Sequence, residues 1–323
     1  MEFFKSEKNY NFMGKSKLFL SFSVILVTLS YILLFTKGLN FGVDFAGGTI
    51  VQVKYDKPAP IKLVRDELKK QVIFEKANVT EFGSSDEIII KFPLTMKSVG
   101  DDVGDLVRDA LKNTGNFEVR RVDMVGPKVG GELREKGLMA LGLSLIAILI
   151  YVTFRFEFRF AIASILALVH DVSIAIGMII IFDIDVNLDI LAAILTILGY
   201  SLNDTIIVFD RIREQVKETR VANLSELINE AVSKTLSRTT LTSVTTLFVV
   251  LTLFLFGGEI IHGFSFVMLV GIVVGTYSSI FIASTFLVLL KFSLKGYREK
   301  EAQKEKRKVE KEKMRAMYEG GVV

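Results

Sequence analysis

The stretch LDILAAILTILGYSLNDTIIVFDR, from Leu188 to Arg211, decides the fold class because it is an apolar run long enough to cross a membrane. A bilayer core about 30 Å thick requires roughly 20 predominantly apolar residues in a helix. The run nevertheless holds Asn203 and Asp204 one or two turns before its charged end. It therefore predicts a membrane helix with an internal carboxylate, and such groups usually have a function.

Apolar runs of similar length recur along the 323-residue chain, half of whose residues are hydrophobic and whose mean hydropathy is positive. They predict six transmembrane segments, at 18–37, 137–155, 160–182, 188–209, 238–257 and 264–290. The first segment follows basic residues but lacks a small-x-small cleavage pattern, so we expect a retained anchor. The chain has no cysteine, which excludes disulfides and thiolate chemistry.

The basic residues of the short connections lie on one side of the predicted membrane. They are Lys5, Lys8, Lys15, Lys17, Arg155, Arg159, Arg211, Arg213, Lys217, Arg220 and Lys234. On the other side, the connection 183–189 is acidic and the connection 257–262 has no Lys or Arg. Because cytoplasmic connections carry the excess of Lys and Arg, we expect 1–17, the loop 210–237 and the tail 291–323 in the cytoplasm. The tail mixes Lys and Arg with Glu, which predicts a solvated helix and no specific nucleic-acid binding.

The same topology places residues 38–136 in the periplasm, and their patterns predict a small domain. Strands are predicted at 49–56, 78–83, 86–92 and 117–125, with a turn around Ser84-Ser85, and helices at 58–72 and 101–112. This βαββαβ order is ferredoxin-like. The fold class expected is therefore a polytopic α-helical membrane protein with six transmembrane helices and an inserted α+β periplasmic domain. The insert shows no nucleophile or ligand cluster, so we expect a binding or mechanical module and no enzyme.

Asp204 and Arg238 are candidates for a functional pair inside the membrane. Both are predicted near the cytoplasmic side, and a charge near the centre of a membrane helix costs about 2.5 to 3.5 kcal/mol. The hydroxyls of Thr242, Thr245 and Thr246 lie one and two turns beyond Arg238. Together with Ser201 and Asn203 of the fourth span they form a predicted row of polar side chains, the polar file. The alternative is that these hydroxyls bond to their own helix or join helices together.

His170 and Asp171 in the third span form a second polar pair. A metal site is not expected, because the other histidine, His262, is predicted at the opposite membrane face and no HExxH motif occurs. A hydrogen bond between helices or a second protonatable step is favoured. The acidic turn 183–189 lacks the Gly and Glu of a calcium loop. Asp171 and Asp204 also lack the Gly-x-Gly-Asp surroundings of an intramembrane aspartyl protease.

Four motifs together resemble one family. They are GLNFGVDFAGGT (38–49), HD (170–171), GYSLNDTIIVFDRIRE (199–214) and LSRTTLTSVTTL (236–247). In order and spacing they resemble the SecF family, membrane subunits of the bacterial SecD-SecF protein-export complex within the resistance-nodulation-division group. The resemblance covers nearly the whole chain.

The resemblance implies six transmembrane helices, a periplasmic ferredoxin-like domain and a location in the bacterial inner membrane. It implies SecD as partner, with the SecYEG channel, often YajC, and translocating secretory polypeptides. It also implies use of the transmembrane ion gradient, a proton or in some bacteria a sodium gradient, to promote late steps of translocation, with no cofactor. By motif position the coupling residues are Asp204, Arg238 and Thr242. Asp44, Gly47 and Gly48 form the motif leading into the periplasmic domain, where the glycines suggest a turn or a close backbone approach.

Two other functions compete with an ion-coupled export subunit. One is half of a related ion-driven exporter of small molecules or lipids. The other is a passive assembly factor in which the charged pair only locks helices together. Exchanging the charges, with Asp204→Arg and Arg238→Asp, could restore a passive lock but not a site that needs a protonatable group in one place.

Overall fold

The computed structural model describes residues 9–75, 77–93, 102–219 and 221–319. Six of its helical segments are long and apolar enough to cross a membrane. They are Met13–Thr36, Pro127–Arg155, Phe158–Ile181, Leu188–Glu218, Leu224–Phe256 and Ile260–Leu289. The chain is therefore a multi-pass membrane protein, as predicted. The predictions for residues 1–8, for Asp101 at the start of a helix and for the end of the tail at 320–323 lie outside the described residues.

The α-helices run in order through the membrane part and the insert. They are α1 Ser16–Thr36, α2 Val43–Ala46, α3 Ile61–Lys69, α4 Val103–Leu111, α5 Pro127–Arg155, α6 Phe158–Ile181, α7 Leu188–Glu218, α8 Leu224–Phe256, α9 Gly258–Tyr277, α10 Ala283–Leu289 and α11 Leu294–Glu319. Short 3-10 turns cover Met13–Lys15 and Val72–Phe74. A π-helical segment, Ser278–Ile282, joins α9 to α10.

The insert is the predicted ferredoxin-like domain. Its strands are β1 Gly48–Tyr55, β2 Asn78–Phe82, β3 Ser84–Phe92 and β4 Phe117–Val125. They pair antiparallel in the order β2-β3-β1-β4, which is the order of a βαββαβ fold with its first and third strands in the centre. The predicted turn at Ser84-Ser85 is wrong by one or two residues. Gly83 makes the turn with φ 76°, and both serines belong to β3.

Alternation along the central strands determines which face of the sheet is buried. Val51, Val53 and Tyr55 of β1 are buried, while the residues between them are partly exposed. Ile88 and Ile90 of β3 continue this face, and the apolar sides of α3 and α4 cover it. The described part of the insert therefore has its own hydrophobic core, separate from the helices of the membrane part.

Most of the connection predicted at 210–237 is helical. α7 continues to Glu218 and α8 begins at Leu224. The reason is an apolar stripe on each extension: Ile212 and Val216 of α7 pack in one core with Leu227 of α8 and the neighbouring Ile228, Ala231 and Val232. These six residues lie beyond the predicted membrane ends of the fourth and fifth spans, and the core continues into the membrane part through Phe209 and Phe160.

Three segments fill the middle of the membrane part. α6 and α7 are the most buried of the long helices, together with the last span through α9 and α10. The GxxxG pattern of α9 lies against α7, since a Cβ on Gly271 would meet the side chain of Ile197 and a Cβ on Gly275 would meet Ser201. α1, α5 and α8 pack on the outside of these segments and keep largely exposed outer faces.

The tail forms the predicted helix, α11, which is exposed over most of its described length. Its first turns are held by Arg298, whose guanidinium donates to the carbonyl oxygens of Val216, Thr219 and Val221 at 2.8 to 2.9 Å. These carbonyls belong to the end of α7 and the connection that follows. Arg298 therefore satisfies acceptors that the end of a helix leaves free.

Candidate functional site

Asp204 lies in the interior of the helix bundle, with its side chain only 1% exposed. Its Oδ2 accepts a hydrogen bond from Ser243 Oγ of α8 at 3.1 Å, and Ser243 Oγ in turn lies 2.8 Å from Thr276 Oγ1 of α9. Its Oδ1 has no hydrogen-bond partner among the described groups. An unpaired oxygen of a buried carboxylate is costly. Uptake of a proton or another cation would neutralise the charge and so lower this cost.

A second buried carboxylate, Asp171 of α6, lies in a fuller hydrogen-bond network. Its Oδ1 is 2.7 Å from His170 Nδ1, and its Oδ2 accepts from Ser201 Oγ of α7 at 2.5 Å. His170 Nε2 lies 2.9 Å from Ser23 Oγ of α1, which lies 2.7 Å from the Tyr277 hydroxyl of α9. Within the described chain Asp171 forms no ion pair with Lys or Arg.

The two networks meet along two helices. Ser201 lies one turn before Asp204 on α7, and Thr276 precedes Tyr277 on α9. We call the eight side chains the polar ring: Ser23, His170, Asp171, Ser201, Asp204, Ser243, Thr276 and Tyr277. The ring connects five helices, α1, α6, α7, α8 and α9, inside an otherwise apolar bundle. A change of charge in it can therefore alter how several helices pack.

The π-helical segment Ser278–Ile282 begins directly after the ring residue Tyr277. π-helical turns interrupt the regular hydrogen-bond pattern of an α-helix and occur frequently at functional sites. Ser278 within this segment is fully buried, and its Oγ has no hydrogen-bond partner among the described groups. The sixth span is therefore irregular at the depth where it contributes Thr276 and Tyr277 to the ring.

The predicted contact between Asp204 and Arg238 is wrong within this chain. Among the described residues Asp204 makes no ion pair, and Arg238 is exposed on the outside of α8. The physical reason is helical phase: Thr239 and Ser243 occupy the inward face of α8, and a shift of one residue turns a side chain by about 100°.

Apart from Ser201, which belongs to the polar ring, the other members of the predicted polar file lie outside the bundle or at its surface. Thr242 and Thr245 are exposed, and their hydroxyls donate to carbonyls of their own helix, as does the hydroxyl of Thr246. Asn203 is exposed on α7. Self-bonding of the hydroxyls was the alternative interpretation, and it describes these three threonines. The roles of Arg238, Thr242 and Asn203 in ion coupling stay predictions.

Asp44, Gly47 and Gly48 lie where the insert joins the membrane part. Asp44 Oδ2 accepts from the backbone N–H of Leu188 at 3.1 Å, at the first residue of α7. Gly47 has φ 78°, and a Cβ there would lie 2.9 Å from Pro127, while a Cβ on Gly48 would lie 2.6 Å from the carbonyl oxygen of Phe92. The expected turn and close backbone approach are both present.

The chain passes beside the acidic connection between α6 and α7 at the same junction. Gly42 donates its N–H to the carbonyl of Val186 at 2.8 Å, and Val186 donates to the carbonyl of Asn40 at 2.7 Å. Asp183 pairs with Lys37 at 3.2 Å. A cavity of about 820 Å³ opens between this connection, the motif and the ends of β2 and β3. In the part of the chain that is described, no group of three or more acidic or histidine side chains is placed to hold a metal.

Comparison with known proteins assigns the family. The family described as "SecD/SecF GG Motif" matches residues 32–59, and "Protein export membrane protein SecD/SecF, C-terminal" matches residues 106–293. A protein translocase subunit SecF of Helicobacter pylori strain J99 is 53% identical over the full length of both chains. The chain belongs to the SecF family.

More distant SecF relatives and solved structures agree with this assignment. The SecF of Vibrio alginolyticus is 43% identical over 88% of this chain and 91% of its own. The crystal structure of SecDF from Thermus thermophilus, a translocon-associated membrane protein, is similar with a TM-score of 0.77 and 36% identity over 88% of this chain. This SecF chain spans 39% of that SecDF chain. These relatives are translocase subunits, so the alternative of a small-molecule or lipid exporter is not favoured.

Four members of the ring were not predicted from the sequence: Ser23, Ser243, Thr276 and Tyr277. Their signal in the sequence is weak, because Ser, Thr and Tyr occur in many membrane helices and usually bond locally. For Ser243 a usable signal existed. Leu236, Thr239, Ser243 and Val250 recur at helical spacing and are all buried, so the inward face of α8 passes through Ser243 and not through Arg238.

Proposed function

We propose that this chain is the SecF-type subunit of a SecD-SecF complex that uses the transmembrane proton gradient to promote late steps of Sec-dependent protein translocation. The observation that carries the proposal is Asp204, a buried carboxylate with one unpaired oxygen inside a ring of polar groups from five helices. Binding and release of a proton there changes which hydrogen bonds the ring can make. Its part in export is accessory, and no residue is given a catalytic role.

The exposed polar face of α8 supports a partner subunit. Arg238, Thr242 and Thr245 follow one another at helical spacing on the outside of the bundle, where lipid would otherwise surround them. An arginine cannot lose its proton to reduce the cost of leaving water. A SecD-type subunit that covers this face would supply polar groups for Arg238 and complete the ion path. The SecYEG channel, YajC and a translocating polypeptide are the further partners proposed.

The route from the ion site to the insert runs along α7. Asp44 binds the first residue of α7, and Asp204 lies about four turns further along the same helix. The glycines beside Asp44 lead directly into β1 of the insert. A shift or rotation of α7 would therefore be transmitted to the insert. One charge crossing 100 mV supplies about 2.3 kcal/mol, enough to bias such a movement.

The orientation proposed places the insert in the periplasm and both termini in the cytoplasm, within the bacterial inner membrane. It rests on the basic connections, which follow the rule that Lys and Arg accumulate on the cytoplasmic side. In this orientation the core built from the ends of α7 and α8 is cytoplasmic, and the junction at Asp44 lies at the periplasmic surface.

The proposal is tested by translocation of a secretory precursor into inverted membrane vesicles that contain SecD and the channel. Asp204→Asn is compared with wild type, with and without a proton gradient. Asp189→Asn is the matched control, since Asp189 is an exposed carboxylate on the same helix. We call the increase in translocation that the proton gradient causes the gradient-dependent increment. We expect Asp204→Asn to assemble but to lose this increment, and Asp189→Asn to keep it. An increment that survives in Asp204→Asn would contradict the proposal.

A further inference from the structure

The hydrogen-bond directions around His170 are fixed by a backbone carbonyl. The Tyr277 hydroxyl lies 2.7 Å from the carbonyl oxygen of Phe19, which can only accept, so Tyr277 donates there. Its single proton is then used. The contact of 2.7 Å between Ser23 Oγ and the Tyr277 hydroxyl therefore requires Ser23 to donate. With its own proton used, Ser23 can only accept from His170 Nε2, which lies 2.9 Å away.

The same count of hydrogens requires a proton between His170 and Asp171. Nε2 must carry a hydrogen, and the 2.7 Å contact between Nδ1 and Asp171 Oδ1 needs another. That hydrogen belongs either to an imidazolium facing a carboxylate or to a protonated carboxyl group facing a neutral imidazole. In both cases the pair holds one proton more than a neutral histidine beside an ionised aspartate. The hydrogen bond from Ser201 to Asp171 Oδ2 is compatible with both arrangements of the proton.

We propose that His170 and Asp171 form a second proton-binding site in this chain, and that its occupancy controls the hydrogen bond between α1 and α6. This inference rests on the proposed function and extends it to a site separate from Asp204. A neutral histidine has one N–H, which can serve either Asp171 or Ser23 but not both. Release of the proton therefore breaks the hydrogen bond to one of them.

The groups around His170 and Asp171 determine which helix contact is lost when the proton is released. Asp171 on α6 and Tyr277 on α9 are the titratable groups that the described structure places in the network of His170, with Asp204 one turn from Ser201 on α7. α1 contributes the Ser23 hydroxyl and the Phe19 carbonyl. If the remaining N–H stays with the carboxylate, Nε2 and Ser23 face each other without a hydrogen. α1 then loses its hydrogen bond to α6, although it keeps the one to α9.

The small number of histidines makes this site accessible to nitrogen NMR. The chain has only two histidines, so in a His262→Gln background the imidazole signals come from His170 alone. The measurement uses the full chain with its SecD-type partner in lipid, labelled with ¹⁵N-histidine and titrated between about pH 5 and pH 8. We expect an Nε2 that carries a proton in the protonated state of the pair. An Nε2 that accepts without a proton across this range would overturn the proposal.

Tyr277→Phe tests the coupling to α1. Without the tyrosine hydroxyl, Ser23 is free to donate to Nε2, so a neutral histidine can satisfy both neighbours. We expect the proton affinity of the pair to fall by about tenfold, the effect of one hydrogen bond. Ser173→Ala is the matched control, because Ser173 is also buried on α6 but bonds to Val169 and Tyr31 outside the ring. An unchanged affinity in Tyr277→Phe would overturn the coupling, and Ser23→Ala repeats the test if that variant does not fold.

Translocation with His170→Gln separates this inference from the proposed function. Glutamine keeps hydrogen bonding but cannot take up the proton. We expect the complex to assemble and the gradient-dependent increment to fall by roughly a hundredfold. This is the lower end of the rate loss expected when a positioned proton-transfer group is removed. If Asp204→Asn loses the increment and His170→Gln keeps it, only the second site is wrong. If Asp204→Asn keeps the increment, the proposed function itself is wrong.

Discussion

The carboxylate of Asp204 depends on a single described hydrogen-bond donor, Ser243. This residue was not selected from the sequence, because the charge of Arg238 drew attention to the neighbouring face of the same helix. The free-energy cost of a charge inside a membrane helix was enough to identify Asp204 as an unusual buried group. That cost could not identify the hydrogen-bond donor to Asp204, since a difference of one residue in helical phase decides which side chain of α8 points inward.

Ser243→Ala should weaken coupling. It leaves both oxygens of Asp204 without a described donor, which disfavours the ionised carboxylate by about 1 to 3 kcal/mol. We expect a smaller gradient-dependent increment in translocation with assembly intact. Thr252→Ala is the control on the same helix, since Thr252 is exposed and donates only to the Phe248 carbonyl. Equal increments in the two variants would show that Ser243 does not serve the site.

At the scale of elements, the insert was predicted well because alternation and helical spacing are local properties of sequence. β4 begins and ends at the predicted residues, and the order of elements fixed the sheet topology. The helices of the membrane part were predicted less well at their ends. Hydropathy locates what crosses the bilayer, whereas α5, α7 and α8 continue beyond those residues, the last two with an apolar stripe that packs in a shared core.

Gly47→Ala should destabilise the junction between the insert and the membrane part more than Gly83→Ala does. Both glycines have nearly the same positive φ, 78° and 76°, so both variants carry about 1 to 2 kcal/mol of backbone strain. Only at Gly47 does a Cβ also meet the backbone, at Pro127, whereas Gly83 has open space. Limited proteolysis at the junction measures the difference. Equal protease resistance of the two variants would contradict a role for the close approach.

Asp185 should make the junction sensitive to pH. Partial removal of water around this carboxyl raises its pKa, although its side chain still reaches solvent and the charge of Lys91 opposes the shift. A raised pKa in the folded state means that protonation favours the folded junction. Its stabilising effect is fully present below the unfolded value of about 3.9 and is lost as pH rises through the folded value.

Hydrogen exchange at the Gly42 and Val186 amides measures this effect, since both donate across the junction. After correction for intrinsic exchange, we expect stronger protection at mildly acidic than at neutral pH. Asp185→Asn should remove the pH dependence, and Asp189→Asn should keep it. Protection that increases towards neutral pH would contradict this assignment.

For the whole molecule, the sequence predicted six spans and the family but not which helix faces remain open. Packing is a property of all helices together, and one chain leaves α1, α5 and α8 with exposed apolar surfaces. Among these faces, that of α8 carries Arg238 and the exposed threonines. Exposed apolar surface alone suits lipid, whereas a row of polar groups with a guanidinium suits another protein.

A photo-cross-linking residue at Thr245 should therefore form an adduct with a SecD-type subunit expressed in the same membrane. Thr245 is exposed on this polar face, and its side chain contacts no other described helix through a hydrogen bond. The control is the same variant in membranes without SecD, where only lipid adducts are expected. Lipid adducts alone in the presence of SecD would show that the partner binds elsewhere.

Ion movement tests the central claim most directly. The chain and its SecD-type partner are reconstituted in liposomes, and proton uptake is measured under an imposed membrane potential for wild type, Asp204→Asn and Asp189→Asn. We predict uptake by wild type and Asp189→Asn and none above the protein-free background by Asp204→Asn. Uptake by Asp204→Asn at the wild-type rate would show that protons cross without this carboxylate, and the polar ring would not be the coupling site.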